Sequence, residues 1–274
     1  MPTLPKRDWA EMTWQDFSAP DVAEWVAVLP VAATEQHGPH LPLGVDAMIG
    51  RAYLARVRAL LPPEGLPVTF LPLQDIGVSI EHLAFPGTLT MTASTVIQAW
   101  REIGESVARA GVRKLVIVTS HGGNVPTMDV VARELRVRQN MLVVTCAWQN
   151  FGYPEGLFDP QERQHGIHGG AIETSLMLAA AGDLVRVDKA PVATSVTVEM
   201  ERTLHWLRLS RPAGFGWMTQ DLHVSGAVGD ATRASAERGE AAFAHGARAF
   251  VELLADVHGF DLTRLGEGPL GEAR

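Results

Sequence analysis

The sequence predicts an α/β fold: one domain built on a mostly parallel sheet with helices on both faces. Three observations carry this expectation. Short apolar runs at 25–33 (WVAVLPVAA), 68–72 (VTFLP), 114–119 (KLVIVT) and 141–147 (MLVVTCA) have the length and β-branched content of buried strands. Segments of helical spacing lie between them, so strand and helix alternate. The chain has 274 residues, of which 46% are hydrophobic and 20% charged, enough to bury a large core. It shows no internal repeat, low-complexity linker or second domain boundary, so 1–274 is read as a single domain.

Residues 1–20, with Trp9 and Trp14, read as a packed N-terminal arm. The strand at 25–33 comes next. Asp46 then opens a helix, with Met48, Ile49, Ala52, Tyr53, Arg56 and Leu60 at helical spacing, and Pro62 and Pro63 stop it. After the strand at 68–72 comes a long loop at 73–90, rich in His, Pro and Gly. Loops of this length in compact domains are functional or mobile. Thr92 or Ser94 caps the next helix, whose apolar face is Val96, Ile97, Trp100, Ile103 and Val107. The run at 114–119 is the clearest strand and ends in Ser120-His121-Gly122-Gly123-Asn124. Pro126 suits the first turn of a helix capped by Asn124 and running to about Gln139. An irregular stretch succeeds the strand at 141–147, then a helix entered through HGGAIETS at 168–175. Residues 187–224, with Trp206 and Trp217, carry no decisive pattern. The C-terminal part is a Gly-rich loop and a long amphipathic helix, with a loose tail at 259–274.

Composition excludes several function classes. The net charge of -8 argues against nucleic acid, which calls for a basic stripe. The single cysteine, Cys146, sits in an apolar run, so no disulfide framework forms within the chain and a cytoplasmic location is expected. MPTLPKRDWAEM lacks the apolar core of a secretory signal, and no stretch approaches ~18 apolar residues, so no membrane span is expected. There is no GxGxxG, P-loop, CxxC pair, HExxH or GxSxG. The HGGN at 121–124 resembles the glycine-rich oxyanion loops of lipases, but without a serine elbow a serine hydrolase is a distant reading.

The chemistry concentrates in LPVAATEQHGPHLPLGVD at 29–46, which holds Glu35, His37, His40 and Asp46. If the strand continues this far, Glu35 and His37 leave on one face, because strand side chains alternate. A turn-rich loop then returns Asp46 to them. In open α/β sheets ligands sit outside the carboxyl ends of the strands, so His121 belongs at the same edge. Glu173 lies near the start of its helix, where the dipole favours a carboxylate. Glu35, His37, Asp46, His121 and Glu173 thus form a candidate set of two imidazoles and three carboxylates. They suit two divalent ions sharing Asp46, with a hydroxide between the ions as nucleophile. A nitrogen and oxygen donor set fits Zn, Mn or Fe(II). His168 is left to pass a proton to a departing nitrogen. Gly122 and Gly123 let the backbone approach a ligand, and the 73–90 loop offers Ser79, Glu81 and His82 as unranked substrate contacts. Each group also has a plainer reading: a loop histidine for His121, a helix-start carboxylate for Glu173, a solvent-facing ring for His168. His82, His165, His205, His223, His245 and His258 read as structural or surface. A non-catalytic small-ligand-binding protein is the alternative of another class.

These segments resemble the creatininase family of metal-dependent amidohydrolases. The residues that carry the resemblance are LPVAATEQHGPHLPLGVD, FPGT at 85–88, VTSHGGN, HGGAIETSLML and GAVGDATRASAERGE, in the family's order from about residue 10 to 257. The resemblance implies a single-domain three-layer α/β/α sandwich, a two-metal site with zinc the first expectation, and a homo-oligomer, often a hexamer. It places metal ligands on Glu35, His37, Asp46 and His121 with Asp46 bridging, a catalytic histidine on His168 and a site carboxylate on Glu173. It implies a small-molecule amide substrate, with Ser79, Gly122 and Gly123 as candidate substrate-binding positions. The sequence departs from the creatinine-hydrolysing branch. There the residue two after the loop histidine is a metal-binding glutamate preceded by a tyrosine, where this chain has Gly123 and Gly122. A Trp-Asp pair of that branch is replaced by Gln164 and His165. The fifth ligand is therefore expected to move to Glu173. The HGGN form is similar to branches that cleave a formamide or trim a redox-cofactor precursor peptide.

Overall fold

Alternation of apolar side chains along the strands decides the layering. In the computed structural model, which describes residues 4–269, β1 (Val26–Val31), β2 (Val68–Phe70), β3 (Lys114–Thr119) and β4 (Leu142–Ala147) pair in parallel in the order β2-β1-β3-β4. Val26 aligns with both Val68 and Lys114, and Lys114 with Leu142, so the strands start level. Among the helices are α1 (Val45–Leu60), α2 (Ala93–Arg109), α3 (Val125–Gln139), α4 (Pro160–His165), α5 (Ala171–Ala181), α6 (Thr197–Thr203), α7 (Thr219–Leu222) and α8 (Ala236–Gly259).

Val26, Val28, Val116 and Val118 point to one side and pack with α1, α5 and α8. Ala27, Leu29, Val31, Leu115 and Ile117 point to the other and pack with α2 and α3. Both faces are covered, which is why the strands read as continuous apolar runs rather than alternating ones. The protein is thus a three-layer α/β/α sandwich. A short antiparallel pair, β5 (Val192–Ala193) with β6 (Gly229–Asp230), lies apart from the main sheet.

Several local expectations are revised. β1 ends at Val31. Beyond it the Ala32 N–H donates to the Gln74 carbonyl and Thr34 bridges Leu89, so Glu35 and His37 lie in a loop rather than on a strand face. Thr92 caps α2, accepting from the Thr95 N–H at 3.3 Å. Asn124 does not cap α3 with its side chain. Its Oδ1 accepts from the Val78 N–H at 3.0 Å and its Nδ2 donates to the Ala32 carbonyl at 3.0 Å, tying the 73–90 loop to the end of β1. The stretch read as irregular contains α4, opened by Asp159 accepting from the Gln161 N–H with Pro160 in the first turn. Trp9 packs on Phe17 with ring centroids 4.5 Å apart, but Trp14 is 79% exposed. The expected loose tail is described only to 269. Residues 270–274, and 1–3 of the arm, lie outside the described residues. Within the described tail, Leu262–Arg264 form a 3-10 turn and the Gly266 carbonyl accepts from Arg136. Among the described residues no helix is long and apolar enough to cross a membrane.

Candidate metal centre

Because the strands run parallel and in register, the segments that leave their carboxyl ends meet at one edge. The loop after β1 delivers Glu35 and His37, the first turn of α1 delivers Asp46, and the segment after β3 delivers His121. Glu173 comes from the first turn of α5 and His168 from just before it. Gly169 permits this last approach: its φ is +59°, and a Cβ there would sit 3.1 Å from the His37 carbonyl oxygen.

The groups converge. His121 Nδ1 lies 3.1 Å from Glu35 Oε1 and 3.7 Å from Asp46 Oδ2. His37 Nε2 lies 3.7 Å from Asp46 Oδ1 and 3.8 Å from Glu173 Oε2. Three triplets place one donor atom each within 4.8 Å of one another: Glu35 with Asp46 and His121, His37 with Asp46 and Glu173, and Glu35 with His37 and His168. The first two share Asp46 and use different oxygens of it in the nearest contacts. Glu35, His37, Asp46, His121 and His168 are all buried.

These residues fit a metal. Both imidazoles have their second nitrogen committed to a backbone carbonyl. His37 Nδ1 reaches the Glu35 carbonyl at 3.0 Å and His121 Nε2 the Val78 carbonyl at 2.8 Å. With the proton on the bonded nitrogen, the lone pair of the other faces the carboxylates, the tautomer a metal requires. Both oxygens of Glu35, Nε2 of His37 and Oδ2 of Asp46 are buried without a hydrogen-bond partner. Leaving such groups unpaired costs about 1–3 kcal/mol each, more when charged, and cation coordination satisfies all of them.

The local electrostatics also call for positive charge. Burial pushes the Glu35 carboxyl up, but the imidazoles of His121, His82 and His168 hold it far below the usual range. Asp46 is pushed up by burial and by Glu35, against the pull of His37 and His121. Glu173 rises to about 7, chiefly through burial, with Asp46 and Glu35 adding to it and His37 opposing. Burial pulls His37 and His121 down, yet the surrounding carboxylates raise them to about 9 and about 10. His168 falls well below its ordinary value through burial and the nearby His37 and His82. His82 and His40 fall to about 4, again chiefly through burial.

His82 has no signal in its spacing, yet it is buried with Nε2 3.3 Å from Glu35 Oε1. Its Nδ1 contacts Thr219 Oγ1 at 2.9 Å and Gln36 Nε2 at 2.8 Å. His40 turns from the centre to Thr174 Oγ1 at 2.9 Å. Glu81, His82, His121, Gly122, Gly123, His168 and Glu173 line one cavity of about 610 Å³, together with Tyr53, Trp148 and Tyr153. Ser79, expected as a substrate contact, is fully buried and does not line this cavity; its N–H donates to Thr90 Oγ1. Position 123 has no room for a side chain: a Cβ would sit 2.4 Å from His121 Nε2, 2.5 Å from Glu81 Oε1 and 2.7 Å from the Val78 carbonyl oxygen. Gln164 and His165 bond Glu201 at 2.7 and 3.0 Å, outside the cavity lining.

The family model for creatininase, described as creatinine amidohydrolase, matches residues 10–254. The chain belongs to the creatininase family. It is a hydrolase acting on carbon–nitrogen bonds. Creatinine amidohydrolase of Pseudomonas putida is 35% identical over 199 residues, covering 65% of this chain and 74% of that protein. The mycofactocin precursor peptide peptidase of Mycobacterium tuberculosis (strain CDC 1551 / Oshkosh) is 31% identical over 222 residues, 79% of each chain. Among solved structures, a mutant creatininase of Zn-Zn type superimposes with a TM-score of 0.73 at 25% identity, covering 92% of this chain and 98% of its own.

Proposed function

We propose that this family member is a binuclear metal-dependent amidohydrolase that cleaves a non-peptide or cyclic C–N amide bond. The observation that carries the reading is the pair of donor triplets sharing Asp46. In this reading Glu35 and His121 would hold one ion and His37 and Glu173 the other, with Asp46 shared between them. The Zn-Zn relative supports zinc, with manganese or iron compatible with the same nitrogen and oxygen donors. Two divalent ions supply Lewis acidity for a carbonyl oxygen and lower the pKa of water towards ~7.

His168 handles the proton. Its Nε2 donates to the Gln36 carbonyl at 2.7 Å, which leaves Nδ1 as acceptor, 3.8 Å from Glu35 Oε1. Burial, His37 and His82 hold its pKa low, so the ring is neutral at rest and, once protonated at Nδ1, gives the proton up readily to the departing nitrogen. Gly122, where a Cβ would meet nothing within 4 Å, leaves open wall against which an amide can lie, whereas Gly123 is needed to let His121 and Glu81 pack over the backbone. A second reading, removal of a peptide segment or formyl group, is supported by the peptidase relative and by a cavity much larger than a small cyclic amide needs. A homo-oligomer, hexameric by family resemblance, belongs to the same proposal.

The test is ring opening of creatinine and release of amine from a formanilide and a short peptide by purified protein, before and after chelation. Hydrolysis of at least one, abolished by chelator and restored by Zn or Mn, is expected. A metal-loaded protein inert towards all three contradicts the reading.

A further inference from the structure

Arg163 is the only guanidinium or ammonium group among the described residues that line the cavity. It stands in the last turn of α4, exposed. Some arginines of this protein find carboxylates: Arg233 pairs with Asp159, Arg56 with Glu240, Arg101 with Glu134. The Arg163 guanidinium makes no ion pair and donates no hydrogen bond to any described residue. It is an exposed cation on the wall of a cavity that also presents Glu81 and Glu173, in a chain of net charge -8. Its chemistry suits an incoming anion, because the planar guanidinium fork matches a carboxylate.

The lining that holds Arg163, His121 and Glu173 also carries an apolar and aromatic set. Tyr53, Trp148, Ile172 and Leu176 belong to the same lining. Tyr153 is in that wall as well, with its ring packed edge-on against Phe158 at 5.1 Å. The Tyr153 phenol is pushed up by burial and by Glu173 and pulled back by Arg163, so it lies within electrostatic reach of both. The cavity therefore offers three zones: carboxylate and imidazole donors, an aromatic wall and a lone cation. A polar amide alone would use only the first.

We infer that the substrate is an amide carrying a carboxylate separated from the scissile bond by an apolar segment, with Arg163 receiving the carboxylate and Trp148 and Tyr153 flanking the apolar part. This deepens the amidohydrolase reading and rests on it. Arg163 sets specificity rather than chemistry: it distinguishes a substrate from its uncharged counterpart.

The experiment uses phenylbutyrate and phenylbutanol, which differ in charge and contain no amide, titrated by calorimetry into the metal-loaded full chain. Metal content is measured on every sample. The wild type is expected to prefer the carboxylate by about tenfold or more, Arg163→Gln to shrink that preference about tenfold, and Arg163→Lys to keep part of it. Carboxylate binding directly to the metals contributes equally in all three proteins, so the change in preference isolates Arg163. A preference that stays within about twofold between wild type and Arg163→Gln, or no binding of either probe by the wild type, overturns the inference. Loss of preference in Arg163→Gln, with none of the amides tested above hydrolysed by the same samples, would leave Arg163 as the carboxylate-binding residue and remove the amide assignment together with the amidohydrolase reading.

Discussion

The two donor triplets that meet at Asp46 differ in how they are built. Glu35, Asp46 and His121 are all buried and come from the ends of β1 and β3 and the start of α1, elements fixed by the sheet. His37, Asp46 and Glu173 include a carboxylate whose side chain is 21% exposed, carried by α5 on the cavity side. Their electrostatics differ as well. Glu35 is held ionised by three imidazoles, whereas Glu173 is pushed up to about 7 by burial and by Asp46 and Glu35. His121 and Glu173 both line the cavity, so each triplet presents one donor to it, and with metal bound the half that carries the partly exposed Glu173 would be the more open to substrate.

Removing the shared carboxylate breaks both halves at once and should have the severest consequence. Asp46→Ala should lose both ions and all measurable turnover, and elemental analysis showing full metal content would remove the bridge. His168→Ala should separate proton transfer from metal holding, with metal content unchanged and kcat down ~10²–10⁴-fold. Loss of an ion in that variant would show that the triplet of Glu35, His37 and His168 is the one in use. The mildest change is graded with pH. Without metal, His37 and His121 titrate at about 9 and about 10, so both carry protons at neutral pH that must leave before they can ligate. Metal affinity should therefore rise as pH increases from about 6 towards 9. Calorimetry in two buffers of different ionisation enthalpy counts the released protons, and an affinity that is flat over that range would contradict this.

Much of this centre is legible in the sequence because of the parallel sheet. Continuous apolar runs at 114–119 and 26–31 declare strands buried on both faces, and such strands deliver their outgoing loops to one edge. That logic brings His121 to Glu35 without knowledge of any contact. Strand alternation also predicts that Glu35 and His37 converge, yet β1 stops at Val31, and the pair is instead oriented by the His37 Nδ1 bond to the Glu35 carbonyl. Glu81 and His82 are not distinguishable in the sequence from other loop residues. Their place depends on Asn124 pinning Val78 and on Thr219 holding His82, tertiary side-chain bonds with no local pattern. Arg163 escapes sequence reading for a different reason. The Asp159 cap and adjoining Pro160 form a readable helix start, but a six-residue helix gives too little periodicity to show which face meets a cavity.

Whether two ions are shared through Asp46, with Glu173 on the open side, is decided by counting metal per chain in protein purified without chelator, alongside Glu173→Gln. Two ions are expected in the wild type and about one in the variant. Two ions in both would place the open-side carboxylate elsewhere, and no metal in either would contradict the binuclear centre altogether.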